Sequence, residues 1–347
     1  MIHRNDVKLS RRARKIAVAC LLLFPMAVNS FRTLIPQPFV VQLPPGATSA
    51  QVQQALDLLP PGGGEVFLSP GEIVVNRPII LRRNNESLCG SGMATILHLA
   101  NNANCPVIIM GQPVNNPKPT SHLNVSNLFI DGNRVHQHWE VWQVKGDGSE
   151  IRNNGITVQN VEDSVVEQVA CAHCRSGGLV STLGTRRLIV RDLNSFDNEY
   201  DGLACYQTED SLFTKLFLHD NPGAGISLDD NFNHNIIKDA VLSQNNLGIF
   251  MRWSDDNHFD HISIYDSGDY GVFMAQAVEW SRSGAHFIPQ SACVNNSFTA
   301  IDAEKCGAAV FRVNDATCTN NVVAGAQFNE DPHGEFSMAE TNLLTMK

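Results

Sequence analysis

A glycine followed by an aliphatic residue recurs at a nearly constant interval through the middle of the sequence. The six pairs are Gly155-Ile156, Gly178-Leu179, Gly202-Leu203, Gly225-Ile226, Gly248-Ile249 and Gly271-Val272. Subtracting successive glycine positions gives intervals of 23, 24, 23, 23 and 23 residues. A fixed period of this size indicates stacked supersecondary units, each of which buries its apolar face against its neighbours. Residues at equal distances from each glycine should therefore form rows along a solenoid.

The residues after each glycine alternate in character, as expected for a strand whose successive side chains point to opposite faces. The mostly apolar positions one and three places after the glycine are predicted to face inward: Ile156, Leu179, Leu203, Ile226, Ile249 and Val272, then Val158, Ser181, Cys205, Leu228, Met251 and Met274. Further apolar segments, such as residues 188–190 and 262–264, supply a second and a third strand in each repeat. Three short strands in coils of about 23 residues predict a parallel β-helix.

The N-terminal part of the chain extends this pattern. Residues 49–56 have the spacing of an amphipathic helix, and the segments 61–71 (PGGGEVFLSPG) and 88–97 (LCGSGMATIL) follow it. Over residues 40–325 the chain resembles the right-handed parallel β-helix proteins of the pectate-lyase-like superfamily. The resemblance implies an all-β, single-domain right-handed parallel β-helix over residues 48–325. Its early helix is expected to cap the open end of the stack.

The two ends of the chain differ from the repeats. Six basic residues precede an apolar run over residues 16–28, which predicts a secretion signal over residues 1–30 and a secreted or periplasmic protein. A twin-arginine route at Ser10-Arg11-Arg12 and an uncleaved anchor are the alternatives. Residues 31–47 are predicted to form a leader and residues 326–347 a C-terminal tail. After cleavage we expect no stable membrane span.

Charge and cysteine content limit the classes of partner. Removing residues 1–30 takes away six basic residues and Asp6, so the formal net charge changes from −10 to −15. Such an acidic protein is not expected to bind nucleic acid or an anionic membrane, because nothing would neutralise the phosphates. Without Cys20, eight of the nine cysteines remain. An even number in an exported protein permits disulfides, but the sequence leaves their pairing open.

The outward positions of the first strand are the candidate site, because the resemblance implies a substrate groove along this strand. Four places after each glycine stand Gln159, Thr182, Tyr206, Asp229, Arg252 and Ala275. Neighbouring strands are about 4.8 Å apart, so we expect Tyr206, Asp229 and Arg252, here called the polar row, to be adjacent. Arg252 could bind a carboxylate, Asp229 could act as acid or base, and Tyr206 could transfer a proton. The alternative is a surface Asp–Arg ion pair without function.

Further residues are predicted to bind substrate around the polar row. Gln159 occupies the same position two coils before Tyr206, and Gln207, Glu209, Asp230 and Trp253 are close to the row in the sequence. Three tryptophans lie in the two segments that interrupt the period: Trp139 and Trp142 in residues 134–149, and Trp280 in residues 278–295. Insertions in a solenoid form loops that often line the binding face. Oxygen-rich turns could also bind calcium; no other cofactor or metal is predicted.

These residues predict a carbohydrate-active enzyme, either a polysaccharide lyase or a C5-epimerase that abstracts a proton next to a uronate carboxylate. Mannuronan C5-epimerases carry Asp-Pro-His after a Gly-Ile pair, and here that tripeptide occurs only at Asp331-Pro332-His333, beyond the glycine repeat. One alternative is a glycoside hydrolase that uses Asp229 or Asp230 with Glu209 or Asp255. The other is a non-catalytic glycan-binding or adhesion β-helix. The oligomeric state is left open.

Overall fold

Parallel strands stacked in three sheets make up most of the chain. The computed structural model describes residues 39–114, 116–138, 153–280, 287–289, 291–329, 336–338 and 344–346. Residues from Val40 onward form one compact unit. The coils pass from sheet I to sheet III, and four of them also form a short strand of sheet II between the two. The predicted all-β parallel β-helix is confirmed.

The strands of each sheet come from successive coils. Sheet I has ten strands: Ile79–Leu81, Ile108–Met110, Ile156–Gln159, Leu179–Thr182, Leu203–Tyr206, Ala224–Asp229, Leu247–Arg252, Tyr270–Ala275, Ala309–Val313 and Phe336–Met338. Sheet II has four: Thr120–Ser121, Val161–Glu162, Thr185–Arg186 and Thr208–Glu209. Sheet III has fifteen: Val40–Leu43, Gly64–Leu68, Gly71–Val75, Glu86–Cys89, Thr95–Leu99, Asn124–Asp131, Val165–Ala172, Ile189–Phe196, Leu212–His219, Ile236–Ser243, His258–Tyr265, Ser297–Glu304, Asn321–Ala324, Gln327–Asn329 and Leu344–Met346.

The strand division within a coil differs from the predicted one. The apolar segments expected to be separate second and third strands form a single eight-residue strand of sheet III in the regular coils. A residue with positive φ bends this strand at its centre, for example Lys215 at 53° and Asp239 at 55°. The two-residue strands of sheet II were missed, because so short a segment has no detectable alternation.

The glycine repeat arises from close packing between coils. A Cβ atom on Gly248 would lie 2.4 Å from the carbonyl oxygen of Gly271, and one on Gly225 would lie 3.0 Å from that of Gly248. Neither glycine needs a positive φ, so the requirement is steric and concerns the neighbouring coil. The two inward rows predicted from the glycine positions are fully buried.

Buried asparagines form hydrogen-bonded ladders at two corners of the coil. At the corner between sheets III and I, the Asn198 side-chain amide donates to Asn221 Oδ1 at 3.0 Å, and that of Asn221 donates to Asn245 Oδ1 at 3.0 Å. These three residues are here called the asparagine corner. A second ladder precedes sheet III and consists of Asn235, Asn257, Asn296 and Asn321. Each ladder satisfies polar groups inside the stack that would otherwise lack partners.

A helix covers the first edge of sheet I, as predicted. Helix α1 (Ser49–Asp57) begins after Thr48, whose side chain forms a capping box with Gln51. Val52 and Leu56 are buried against the stack, and Gln53 exchanges hydrogen bonds of 2.7 and 3.2 Å with the backbone of Ile80. The edge strand therefore finds partners in the helix.

The stack extends beyond both predicted boundaries. Val40–Leu43, in the expected leader, pairs with Glu65–Leu68. Three short strands in the expected tail pair with sheets I and III. The predicted signal, residues 1–30, lies outside the described residues.

The two interruptions of the period leave the stack at different corners. In the interruption at residues 278–295, Val278–Trp280 pairs antiparallel with Phe287–Pro289, between a sheet I strand and the sheet III strand Ser297–Glu304. This hairpin begins three positions after Ala275, which pairs with Arg252. Residues 134–149 instead follow the sheet III strand Asn124–Asp131, so this insertion begins at the opposite end of the sheet I strands.

Candidate active site

The polar row has the predicted register. Tyr206 pairs with Asp229 across neighbouring strands of sheet I, and Leu228 pairs with Met251, so Asp229 and Arg252 follow on adjacent strands. The Arg252 side chain donates to Asp229 Oδ2 from Nε, at 3.0 Å, and from Nη2. Counting from the glycines therefore found three neighbours from three coils. Their catalytic roles stay a prediction.

Burial distinguishes the two charged members of the row. The Asp229 side chain is 11% exposed, whereas that of Arg252 is 39% exposed. Burial raises the pKa of Asp229, although the Arg252 guanidinium and the N–H of Asp230, 2.8 Å from Asp229 Oδ1, oppose the shift. Both guanidinium nitrogens donate to the same carboxylate oxygen, so Nη1 of Arg252 does not take part in the pair. The pair fixes Arg252 and leaves one end of its guanidinium for another acceptor.

Aromatic rings lie beside Arg252. Phe250 and Phe273, two places after their glycines, are stacked with centroids 5.6 Å apart, and Tyr270 lies 5.7 Å from Phe273. Arg252 Cζ lies 5.1 Å from the Phe250 centroid. The rings of this aromatic stack are partly exposed on the outer face of sheet I. The sequence predictions assigned no role to Phe250 and Phe273, although two aromatic residues one period apart were a clue to this stack.

Three of the predicted substrate-binding residues lie at the turn that ends the sheet I strands. Gln207, Asp230 and Trp253 have φ values of 47°, 52° and 44°, and the equivalent residues of the two preceding coils, Asn160 and Leu183, also have positive φ. The Gln207 amide donates to Asp230 Oδ2 at 2.7 Å. All three are partly exposed and follow directly after a member of the polar row. The left-handed conformation is therefore a property of this corner in the five successive coils from Asn160 to Trp253.

The other predicted binding residues are less well positioned. Glu209 is on sheet II, where it pairs with Arg186 through Nε at 3.1 Å and through Nη2. Gln159 is 1% exposed and donates to the carbonyl of Gln112, so it lies beneath the surface that the row presents. Trp280 is in the hairpin strand, where its backbone pairs with Phe287. Trp139 and Trp142 lie outside the described residues.

The carboxylates of the hydrolase alternative are engaged in other contacts. Asp255 Oδ1 accepts a hydrogen bond from the Val294 N–H at 2.8 Å, and burial raises the pKa of Asp255. Asp229 is held by Arg252 and Glu209 by Arg186. Asp230 accepts from Gln207. A glycoside hydrolase needs two carboxyl groups that face each other across a space for the substrate. These four residues do not form such a pair in the folded chain.

Polar residues of a different kind line the opposite end of the sheet I strands. A groove of about 650 Å³ runs along the asparagine corner and is lined by Asp220, Asn221, Pro222, Gln244, Asn245, Asn246, Asp266 and Gly268. Its lining includes carboxylates and no basic side chain, so it would repel a polyuronate. The polar row differs from this groove in carrying a basic side chain, Arg252.

A histidine–aspartate cluster was missed in the sequence because its members come from separate coils. Asp131 accepts from His98 Nδ1 at 2.9 Å and lies 3.1 Å from His173 Nδ1. Burial alone would raise the pKa of Asp131, but the N–H of Asn133 and the two histidines lower it overall. Such a carboxylate orients both imidazoles.

A protein-family comparison identifies this architecture. The sequence model described as "Periplasmic copper-binding protein (NosD)" matches residues 120–322, more than half of the chain. The chain belongs to the NosD family. No curated protein matches its sequence.

Solved structures similar to this NosD-family chain share its fold at low sequence identity. The alginate lyase from Paenibacillus sp. str. FPU-7 has a TM-score of 0.61 and 12% identity, with 88% of this chain and 99% of that chain covered. Endo-xylogalacturonan hydrolase from Aspergillus tubingensis has a TM-score of 0.60 and 12% identity, with 89% and 93% covered. ORF18 of Geobacillus virus E2 has a TM-score of 0.58 and 13% identity, with 86% of this chain but only 58% of that chain covered.

The copper in the family's description does not fit the side chains described for this NosD-family member. Among the described residues, no three or more His, Cys, Asp and Glu side chains come together in a way that could hold a metal ion. Copper(I) favours thiolates, but burial raises the pKa of Cys105 to about 11 and that of Cys205 to about 12. Such raised pKa values disfavour the thiolate form that copper(I) would need. Calcium binding stays a prediction.

The same described part of the chain was searched for a membrane-spanning helix. None of its helices has the length and apolar character that crossing a bilayer requires.

Proposed function

We propose that this protein is an exported carbohydrate-active enzyme that acts on a uronate-containing polysaccharide by proton abstraction, as a lyase or a C5-epimerase. The observation that carries the proposal is the contact of Asp229 with Arg252 beside Tyr206, on the outer face of sheet I. A phenol, a shielded carboxylate and a fixed guanidinium within one row suit chemistry at a carbon next to a carboxylate.

Each member of the row has a proposed task. Arg252, held by Asp229, would bind the uronate carboxylate through its remaining donor and stabilise the charge that develops on it. Tyr206, after it has lost its phenol proton to solvent, would take the proton from the carbon next to that carboxylate. In a lyase, the carbon–hydrogen and glycosidic carbon–oxygen bonds then break, a carbon–carbon double bond forms and the departing oxygen takes the proton from Tyr206. In an epimerase, a proton returns to the opposite face of the same carbon.

The aromatic stack would hold a neighbouring sugar. Phe250 and Phe273 are partly exposed on the same surface as the row, and Arg252 lies over Phe250. Apolar faces of sugar rings pack on such aromatic platforms. This arrangement would align the polymer along sheet I, across successive coils.

A second candidate is a glycan-binding β-helix without turnover. The observation that favours it is the ion pair itself, because Asp229 and Arg252 already neutralise each other. In this case the aromatic stack and the free donor of Arg252 would bind sugar, and no proton transfer would follow.

Export is part of the proposal. The predicted signal in residues 1–30 and the word "periplasmic" in the description of the family both support it. Expression of the full chain with its own leader, followed by cell fractionation and N-terminal sequencing, tests it. Recovery of uncleaved protein in the cytosol alone would contradict export.

The reaction can be tested with the full chain on a panel of uronate and neutral polysaccharides, with and without calcium. A lyase produces an unsaturated uronate with ultraviolet absorbance, and an epimerase changes only the stereochemistry seen by NMR. A hydrolase produces reducing ends without that absorbance. Binding on a glycan array with none of these products would favour the second candidate.

Matched variants then test the residues. Asp229→Asn, Arg252→Ala and Tyr206→Phe should each lower turnover about a hundredfold or more, because each removes a group used in the transition state. Arg191→Ala is the control, since Arg191 is paired with Glu167 on sheet III. It should retain activity. Wild-type turnover in Asp229→Asn and Arg252→Ala would exclude the row as the active site.

A further inference from the structure

The outer face of sheet III carries a row of side chains that differ from coil to coil. At the last position of the strands, Phe196 pairs with His219, His219 with Ser243, and Ser243 with Tyr265. All four residues are partly exposed. Stacking of the coils does not require this change of side chain. The row is therefore a candidate binding surface.

Aromatic contacts hold one part of this surface. The centroid of the His219 ring lies 4.9 Å from that of Phe196, with the planes 3° apart, and 4.2 Å from that of Phe217, with the planes 29° apart. Asp220 Oδ2 lies 2.6 Å from His219 Nδ1 and orients the imidazole. Phe217 is 44% exposed. These three rings, here called the sheet III aromatic cluster, thus offer solvent an apolar surface of fixed shape.

A small residue separates this cluster from a second ring. Ser243 lies on the strand between those of His219 and Tyr265, which are about 9.6 Å apart at two strand spacings. The Tyr265 hydroxyl donates to Asp302 Oδ2 at 3.2 Å, which fixes the phenol. Val241, two residues before Ser243, pairs with Phe217 and is 37% exposed. The surface over Ser243 therefore has an apolar side and a ring at each end.

The groove of about 650 Å³ at the asparagine corner begins where this row ends. Asp220, Gln244 and Asp266 each follow a member of the row directly, and they line the groove together with Asn246. All four are exposed. Ligand clefts commonly have volumes of about 300–1,000 Å³, so the groove is large enough for a short sugar segment. Rings and hydrogen-bonding groups thus meet along one corner.

The charges at this corner favour an uncharged ligand over a polyanion. The groove lining contains two carboxylates and no basic side chain. Lys305, one coil beyond Asp266, pairs with Glu304 at 2.9 Å. A polyuronate would be repelled. Hydroxyl groups, in contrast, can donate to carboxylate and amide oxygens. A sugar ring combines such hydroxyls with an apolar face of C–H groups.

We propose that this corner binds an uncharged segment of a polysaccharide without turning it over. One sugar would pack against Phe217 and lie over Ser243, and its neighbours would donate hydrogen bonds to Asp220 and Asp266 in the groove. The polar row lies at the other end of the sheet I strands. The inference goes beyond the chemistry proposed for that row and holds whether or not the row turns substrate over.

Affinity electrophoresis of the full chain tests the ligand class. Native gels contain a soluble β-glucan, a xylan or a galactomannan as neutral probes, alginate or polygalacturonate as anionic probes, or chitosan as a cationic probe. We expect at least one neutral polymer to retard the wild-type protein. Retardation by none of the neutral polymers, or by chitosan alone, would overturn the proposal.

Matched variants then locate the binding. Phe217→Ala should raise the Kd for the neutral polymer about tenfold, because it removes the exposed ring. Ser243→Phe should abolish retardation by filling the space beside that ring. Ile236→Ala is the control, since Ile236 is also 44% exposed on sheet III but begins the strand that Ser243 ends. It should bind as wild type does.

Two further comparisons separate this site from the polar row and from misfolding. Arg252→Ala should keep the neutral polymer, and Phe217→Ala should keep any uronate turnover. Asp266→Ala changes only the exposed groove and should weaken neutral binding severalfold at an unchanged melting temperature. Wild-type affinity in Phe217→Ala and Asp266→Ala, or an equal loss in Ile236→Ala, would show that the polymer binds elsewhere and would refute the site.

Discussion

The polar residues at the two ends of the sheet I strands differ in how they repeat from coil to coil. At the asparagine corner, three coils repeat the same buried side chain, and each amide bonds to the next. At the other end, the polar row changes from phenol to carboxylate to guanidinium over three coils. Only the second set is partly exposed at its ends and carries charge.

This difference distinguishes polar residues that stabilise the stack from polar residues that could bind or act on a ligand. A repeated buried amide satisfies the same backbone groups in every coil, so its period follows from the stack. A row whose members differ from coil to coil is not required by the stack, because any small or apolar side chain would allow the coils to stack. Departure from the repeat, on an exposed face, is therefore the better sign of a binding or catalytic site.

The largest effect is expected at the glycine that follows the asparagine corner. Gly248→Ala would place a Cβ 2.4 Å from the Gly271 carbonyl oxygen and 2.8 Å from Ile264 Cγ2. Because backbone cannot move aside without separating two coils, the free energy of unfolding should fall by about 3 kcal/mol. Urea denaturation measures it. Gly62→Ala is the control, since nothing lies within 4 Å of its Cβ position; equal losses in both variants would contradict the packing explanation.

A somewhat smaller loss is expected within the ladder. Asn221→Ala removes the acceptor of Asn198 and the donor to Asn245, which leaves buried amides without partners. The cost should be about 2 kcal/mol in the free energy of unfolding. Exposed Asn246, one residue beyond the ladder, is the matched control. If Asn246→Ala destabilised the protein as much as Asn221→Ala, the ladder would not be the structural element described.

Asp229 ends a strand of sheet I, and Asp131 ends a strand of sheet III. A change of pH should alter the contributions of these two residues to stability in opposite directions. Burial raises the pKa of Asp229, so the folded state holds the proton of this carboxyl group more tightly than the unfolded state does. The protonated carboxyl group therefore stabilises the fold. This contribution is complete below the unfolded pKa and is lost as pH rises through the folded pKa. The pKa of Asp131 is lowered because the N–H of Asn133 and the side chains of His98 and His173 outweigh the effect of burial. The ionised carboxylate therefore stabilises the fold. This contribution is present above the unfolded pKa and is lost as pH falls through the folded pKa.

Denaturation from about pH 3 to pH 5.5, the range around the ordinary pKa of a carboxyl group, compares the two groups. The stability of wild type relative to Asp229→Asn should decrease as pH rises, and relative to Asp131→Asn it should increase. Asp197, which lies 3.5 Å from His173 Nε2, faces the same cluster and is kept unchanged in both variants. Parallel pH profiles for the two differences would contradict the assigned directions.

The smallest effect is expected for an ion pair that resembles the polar row only in composition. Arg186 and Glu209 pair on sheet II with Arg186 about half exposed. Solvent screens such a pair, so Arg186→Ala should leave the melting temperature and the turnover unchanged. A clear loss of turnover would extend the site from sheet I onto sheet II.

Much of the candidate site could be predicted because the constant period gives the register between neighbouring coils. The positions of Tyr206, Asp229 and Arg252 relative to their glycines were enough to predict their adjacency, and the register agrees. The asparagine corner could have been found by the same count, since Asn198, Asn221 and Asn245 are 23 and 24 residues apart. Contacts that cross the insertions, such as the hydrogen bond from the Val294 N–H to Asp255, have no constant spacing and could not be found in this way.

The sequence by itself determined the coil, the inward rows and the order of side chains along sheet I, because a period fixes which residues stack. Only the tertiary structure decided how those side chains are used. It shows that Arg252 is held by Asp229, that Gln159 is covered and that Glu209 belongs to Arg186. The physical reason is that burial and ion pairing depend on neighbours from other coils and loops, whose distances and exposure the spacing along the chain does not encode.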